Sequence, residues 1–124
     1  MIKKPTFAEM QKRNLENRIQ HIADHRLDYV RDPRDFSRNR MLTLSTMLKL
    51  ILGFTGKTIP KELLDLDDPV TASAFVQQRD KLTMKMFKDL FEHSSESAPC
   101  RKRFHGYRLL AVDGSELITP YRVN

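Results

Sequence analysis

The sequence predicts a mainly α-helical chain, a small bundle containing a helix-turn-helix-like pair, followed by a short C-terminal β-hairpin. Three observations carry this. Apolar residues recur at steps of three and four through most of residues 7–91. Threonines, prolines and glycines stand where helices of that period need caps and stops. At Tyr107 the pattern changes to a short apolar run, as expected of a strand. The corresponding division is a helical domain over 1–95, a linker over 96–106 and a strand-forming segment over 107–124.

The first helix is expected over residues 7–30. Leu15, Ile19, Ile22, Ala23, Leu27 and Val30 lie along one side of it. Asp32-Pro33 stops it, because proline cannot continue a helix and disfavours helical geometry in the residue before it. Residues 31–42 (RDPRDFSRNRML) read as a basic loop with one aromatic anchor, Phe36. Thr43 can cap a second helix, whose stripe is Leu44, Met47, Leu48 and Ile51 and whose stops are Gly53 and Gly56. A short third helix starts at Thr58 with Pro60 in its first turn and Leu63, Leu64 and Leu66 as its apolar side. Asp67-Asp68-Pro69 is a turn. Asp68 or Thr71 caps a fourth helix running to about Leu82, and Thr83 a fifth with Met86, Phe87, Leu90 and Phe91 on one face. Residues 93–106 are polar and basic and are broken by Pro99 and Gly106, a linker composition. Residues 107–112 (YRLLAV) then form a buried strand, Gly114 and Ser115 permit a turn, and residues 117–119 begin a second strand.

Composition narrows the function classes. A net charge of +6 and a pI near 9.7 favour a polyanionic partner. The charge is uneven: residues 1–40 hold ten Lys and Arg against six Asp and Glu, and residues 61–92 hold five against seven. The longest apolar stretch, residues 47–54, is interrupted by Lys49 and falls far short of the ~20 residues of a membrane span. No apolar run follows Lys3 and Lys4, so a secretory signal is not expected. Cys100 has no second cysteine to pair with, which fits a cytoplasmic protein.

Two features can carry chemistry. Asp113 follows an apolar run in the sequence AVDGS. A carboxylate at a strand end is a rigid mount for a metal ligand or a general base, and Asp-Gly is equally a plain hairpin turn. The third and fourth helices have helix-turn-helix proportions, and an ordinary helix pair has them too. On the fourth helix Ser73, Gln77, Gln78, Arg79 and Lys81 are candidate DNA contacts. Gln pairs with adenine edges, and Arg and Lys pair with guanine edges or phosphates. Asp65, Asp67 and Asp68 beside the pair oppose that reading. Three other patterns lack the spacing or the residues their chemistry needs. Residues 53–58 (GFTGKT) have two residues between the glycines where a phosphate loop has four. His21 and His25 lack the Glu of a zinc-protease helix, and Cys100 and His105 lack further zinc ligands.

The order of the pieces is more specific than any one of them. The blocks DFSRNRML at 35–42, KELL at 61–64, TASAFVQQR at 71–79 and YRLLAVDGS at 107–115 resemble the N-terminal half of DDE transposases of the insertion-sequence-four family. The resemblance runs from about Asp35 to Pro120 and is strongest in the last two blocks. It implies a helical region that contacts the double-stranded inverted repeats at element ends, followed by the first strands of an RNase H-like catalytic domain. It implies that Asp113 is the first catalytic acid, a ligand for Mg²⁺ or Mn²⁺. The family's second aspartate and its glutamate are expected downstream of Asn124, so the chain alone is expected to be a truncated transposase that binds DNA, holds no metal stably and does not cut. It can also join a homo-oligomer or the full-length enzyme. A small helical DNA-binding regulator or inhibitor of that enzyme is the alternative reading, and a decayed fragment a third.

Overall fold

The computed structural model describes residues 2–38, 40–97, 103–108 and 111–114. Among these the chain is mainly helical, in the order α1 (Phe7–Asp24), a 3₁₀ turn (Arg26–Asp28), α2 (Leu44–Gly53), α3 (Ile59–Leu63), α4 (Ala72–Arg79), α5 (Met84–Ser97), β1 (Arg103–Phe104) and β2 (Tyr107–Arg108). No helix among the described residues is long and apolar enough to cross a membrane.

Local chemistry explains most helix starts. The Thr6 hydroxyl accepts from the Glu9 amide at 3.2 Å, while the Glu9 carboxylate accepts from the Thr6 amide at 2.6 Å. This reciprocal box satisfies two amides that a helix start otherwise leaves open. Thr43 and Thr71 cap α2 and α4 through their hydroxyls, accepting from Thr46 N and Ala74 N. Thr58 precedes α3 in extended geometry but makes no side-chain cap. The Thr83 hydroxyl instead donates to the Tyr29 carbonyl at 2.7 Å, tying the start of α5 to the end of the first helical segment.

Two apolar clusters share α2. Leu44 and Leu48 face Ile19, Ile22, Tyr29, Met86 and Leu90, joining α1, α2 and α5. Met47 faces Leu42, Leu63 and Phe75, joining α2, α3 and α4. Leu44, Met47 and Leu48 lie on one broad apolar face of α2, and the two edges of that face serve the two cores. Phe36 and Leu82 pack against both clusters. A part-buried ion pair closes the first: Arg18 grips both carboxylate oxygens of Asp89, with the second contact at 2.6 Å, and the Tyr29 hydroxyl donates to the same carboxylate at 2.8 Å.

Several expected boundaries move. The first helix ends at Asp24, not at residue 30. After a break at His25 the 3₁₀ turn carries Tyr29 inward to Asp89 and leaves Leu27 64% exposed. Gly53 is still helical, and the left-handed residue is Gly56 at φ 88°. Leu64 is 78% exposed, and the buried partner of Leu63 on α3 is Glu62. α4 stops at Arg79 and α5 continues through residues 93–97, which the composition assigns to the linker region. Phe91 lies on the outer side of α5, 73% exposed. A short hairpin stands before the expected one. Arg103 pairs with Arg108 and Phe104 with Tyr107 around His105 and Gly106, whose φ values of 47° and 83° are those of a tight primed turn. Residues 111–114 have no regular structure. The expected second strand at 117–119 lies outside the described residues.

Glu62 accounts for the loop after α2. Its carboxylate accepts from the amides of Thr55 and Lys57, each at 2.8 Å, and from the Thr55 hydroxyl at 3.1 Å. Burial pushes its pKa up, but those donors outweigh burial and hold it below the ordinary 4.5. The GFTGKT segment thus spends its free amides on an internal carboxylate, a second reason that it is not a phosphate loop. Glu62→Ala is expected to lower stability, because two amides exchange an internal acceptor for water. A denaturant midpoint shift checks it. The carboxylate's contribution is present above the unfolded value near 4.5 and is lost as pH falls through the lower folded value.

Candidate nucleic-acid interface

The loop over residues 31–42 is fastened to α4. Arg26 donates to the carbonyls of Pro33 at 2.6 Å and Asp35 at 2.8 Å, which holds the loop's first turn. Arg31 donates to the Asp80 carbonyl at 2.6 Å, just past the end of α4. Phe36 sits at φ 55°, a left-handed geometry uncommon for a bulky side chain, and it is held there by packing on both cores. Leu42 is buried beside Phe75 in the second cluster.

Between loop and helix lies a cleft of about 350 Å³ lined by Arg34, Arg38, Arg40 and Lys81, with Asp32, Asp35 and Gln78 also on its walls. Arg40, Leu42 and Gln78 are shared with a second, more apolar cleft of about 560 Å³ that runs on past Met41, Val70 and Ala74. Within the first cleft Arg34 and Asp32 form an exposed ion pair at 2.8 Å. Arg34 holds the Asp32 carboxyl down to about 2. Arg38, Arg40 and Lys81 have no side-chain hydrogen bond or ion pair among the described residues.

The residues singled out on α4 divide between two surfaces. Ser73 and Gln77, one turn apart, are exposed, as is Arg79 at the helix end. Gln78 and Lys81 are half-buried and face the cleft. Phe75 is the one fully buried residue of α4, and Ser73, Gln77 and Arg79 are its exposed positions. α3 and α4 pack together, but residues 64–71 separate them. That connection is longer than the three or four residues of a helix-turn-helix turn. It carries Asp65, Asp67 and Asp68, all exposed. The potential along α4 therefore runs from acidic at its N-terminal approach to basic at the loop side.

No protein-family model, curated protein or solved structure matches this chain.

Asp113 is exposed in a segment without regular structure, five residues beyond the last strand residue, Arg108. Among the described residues no three His, Cys, Asp or Glu side chains converge. The described residues therefore do not build a divalent-metal site around Asp113. Glu116 lies outside them. His21 and His25 stack at 4.1 Å between ring centroids, with His25 Nδ1 against the His21 carbonyl at 2.9 Å. The contact is a helix-end contact on an exposed face. Sequence reasoning leaves Arg34, Arg38 and Arg40 out of the site. The signal that could have placed them there is the density of arginine in RDPRDFSRNR together with Phe36 as an anchor.

Proposed function

We propose that this chain is the N-terminal, DNA-binding part of a DDE transposase of the insertion-sequence-four family. It engages double-stranded element ends through α4 and the loop over residues 31–42. The observation that carries the reading is the cleft whose wall gathers Arg34, Arg38, Arg40 and Lys81, with Arg38 and Arg40 in no ion pair among the described residues. Phosphate contacts from such cations supply affinity and register, and side chains on an adjoining helix supply base readout. Ser73 and Gln77 are the exposed pair for base edges, Gln78 borders the cleft, and Arg79 and Lys81 serve the backbone. The block resemblance at 71–79 and 107–115 supports the family assignment. With acidic residues before α4 and arginines beside it, DNA approaches from the loop side. That differs from the usual helix-turn-helix, in which the N-terminal end of the second helix reads the bases.

A binding selection from a random duplex pool tests the readout. Wild type is expected to enrich a defined sequence, and Gln77→Ala/Gln78→Ala to flatten the enrichment while retaining most affinity on a scrambled duplex. A double variant with unchanged enrichment would remove α4 from the reading.

In this reading Asp113 is the family's first catalytic acid, and among the described residues no further acidic side chains converge on it. Mg²⁺ parts with its water reluctantly and needs further anionic ligands. Asp113→Ala is expected to change stability by no more than about 0.5 kcal/mol, as at other exposed positions. Duplex affinity is expected to be unchanged and no strand to be nicked in Mg²⁺ or Mn²⁺. Nicking by wild type that the variant abolishes would contradict this.

A further inference from the structure

We propose that the loop–α4 cleft is a phosphate-binding subsite in which Asp32 occupies the arginine fork that a backbone phosphodiester takes on binding. The proposal rests on the DNA-binding reading and specifies which groups of the cleft take the charge and what competes for them. Arg34 meets Asp32 through two parallel contacts, Nε to Oδ1 at 3.2 Å and Nη2 to Oδ2 at 2.8 Å. The same Oδ1 accepts from the Arg34 amide at 2.9 Å. This fork-to-fork geometry is the one a guanidinium offers equally to carboxylate or phosphate. The Arg34 side chain is 89% exposed, so a ligand can reach the fork without unpacking the protein.

The surroundings favour an incoming anion. The cleft wall carries four cations, Arg34, Arg38, Arg40 and Lys81, against two carboxylates, Asp32 and Asp35. An excess of positive charge therefore remains with Asp32 in place. The loop backbone that carries the arginines needs little ordering, because Arg26, Arg31 and Phe36 already fix it. Preset geometry lowers the entropic cost of binding. A phosphodiester entering the cleft meets Arg38, Arg40 and Lys81 first. It then competes with Asp32 for Arg34, so Asp32 acts as a brake on affinity that does not depend on base sequence.

The test measures binding of the full chain to a mixed-sequence duplex over a range of salt concentrations. Asp32→Asn is expected to tighten binding about fivefold, by releasing one exposed cation, and to steepen the salt slope by about 0.9, one phosphate contact. Arg38→Ala/Arg40→Ala is expected to weaken binding at least about tenfold and to flatten the slope by roughly 1.8. Arg13→Ala, on the exposed side of α1, serves as the charge control and is expected to do neither. A slope in the double variant equal to the control's, or an Asp32→Asn variant no tighter than wild type, would overturn the proposal. So would polyglutamate binding as tight as that of the duplex, which would mark an acidic-peptide site. A separate arm titrates inorganic phosphate while following the arginine Nε resonances. Arg38 and Arg40 are expected to shift, and Arg34 to join them strongly in Asp32→Asn. Shifts no larger than those of Arg13 would refute the subsite. This arm decides even if no duplex binds, a result that would sink the DNA-binding reading by itself.

Discussion

Replacing Phe75 by alanine is expected to cost about 3–5 kcal/mol, the range for a fully buried aromatic ring cut back to a methyl group. Phe75 is 0% exposed and is the only fully buried side chain that α4 contributes. Its ring meets Phe54 at 5.3 Å between centroids and packs in the cluster with Leu42, Met47 and Leu63. The cavity would open where loop, α2, α3 and α4 meet, and α4 has no second anchor of that size to collapse onto it. The loss is expected to reach function as well as stability, because α4 is one wall of the basic cleft. Denaturant melts of wild type and variant measure the first effect. Duplex affinity at a temperature where the variant is still folded measures the second. A destabilisation below about 1 kcal/mol would mean that the second cluster is not a packed core.

Asp89→Ala is expected to cost about 2–3 kcal/mol. Removing one member of a fully buried pair costs more, about 3–5 kcal/mol. Here the side chains of Arg18 and Asp89 are 24% and 19% exposed, so water recovers part of the loss. The alanine strands the Arg18 guanidinium and the Tyr29 hydroxyl together, undoing the seam between α1 and α5. Asp89→Asn, which keeps an acceptor for Tyr29, is expected to lose less. The pH dependence follows from the same contacts. The Arg18 guanidinium holds the Asp89 carboxyl below its ordinary 3.8 against the opposing effect of burial, with help from the Tyr29 hydroxyl. The seam's contribution is therefore complete above the unfolded value and is lost as pH falls through the lower folded one. Acid melts in which wild type and Asp89→Ala converge at low pH check this. A constant gap between them at every pH would contradict it.

What could be read from the sequence was local. Thr43 and Thr71 as caps, Pro60 in the first turn of its helix and the Leu44–Met47–Leu48 stripe all depend on neighbours within four residues. The Thr6–Glu9 box is equally local and could have been read. Periodicity places Leu27, Leu64 and Phe91 on apolar stripes but cannot say which member of a stripe a neighbour covers. All three are exposed. Glu62 reads as a surface charge until the loop at residues 55–57 folds back over it. The candidate site was half legible for the same reason. Gln77, Gln78 and Lys81 follow from helix position. The arginines of residues 34–40 enter the site only because Arg31 and Leu42 bring a loop far away in sequence against α4. Asp113-Gly114 and His105-Gly106 are turn signals of similar form; the described strands pair around the second, and most of the hairpin expected around the first lies outside the described residues.

We propose that the cleft and α4 form a surface for double-stranded DNA. Its most direct test is the salt dependence of wild-type binding to duplex DNA by fluorescence anisotropy. With Arg38, Arg40 and Lys81 on phosphates, plus Arg34 in part, log K is expected to fall linearly with log salt at a slope of about −3, roughly −0.9 per contact. Affinity would then drop by close to two orders of magnitude between about 50 and 200 mM salt. Absence of binding at the lower concentration, or an affinity indifferent to salt, would contradict the account.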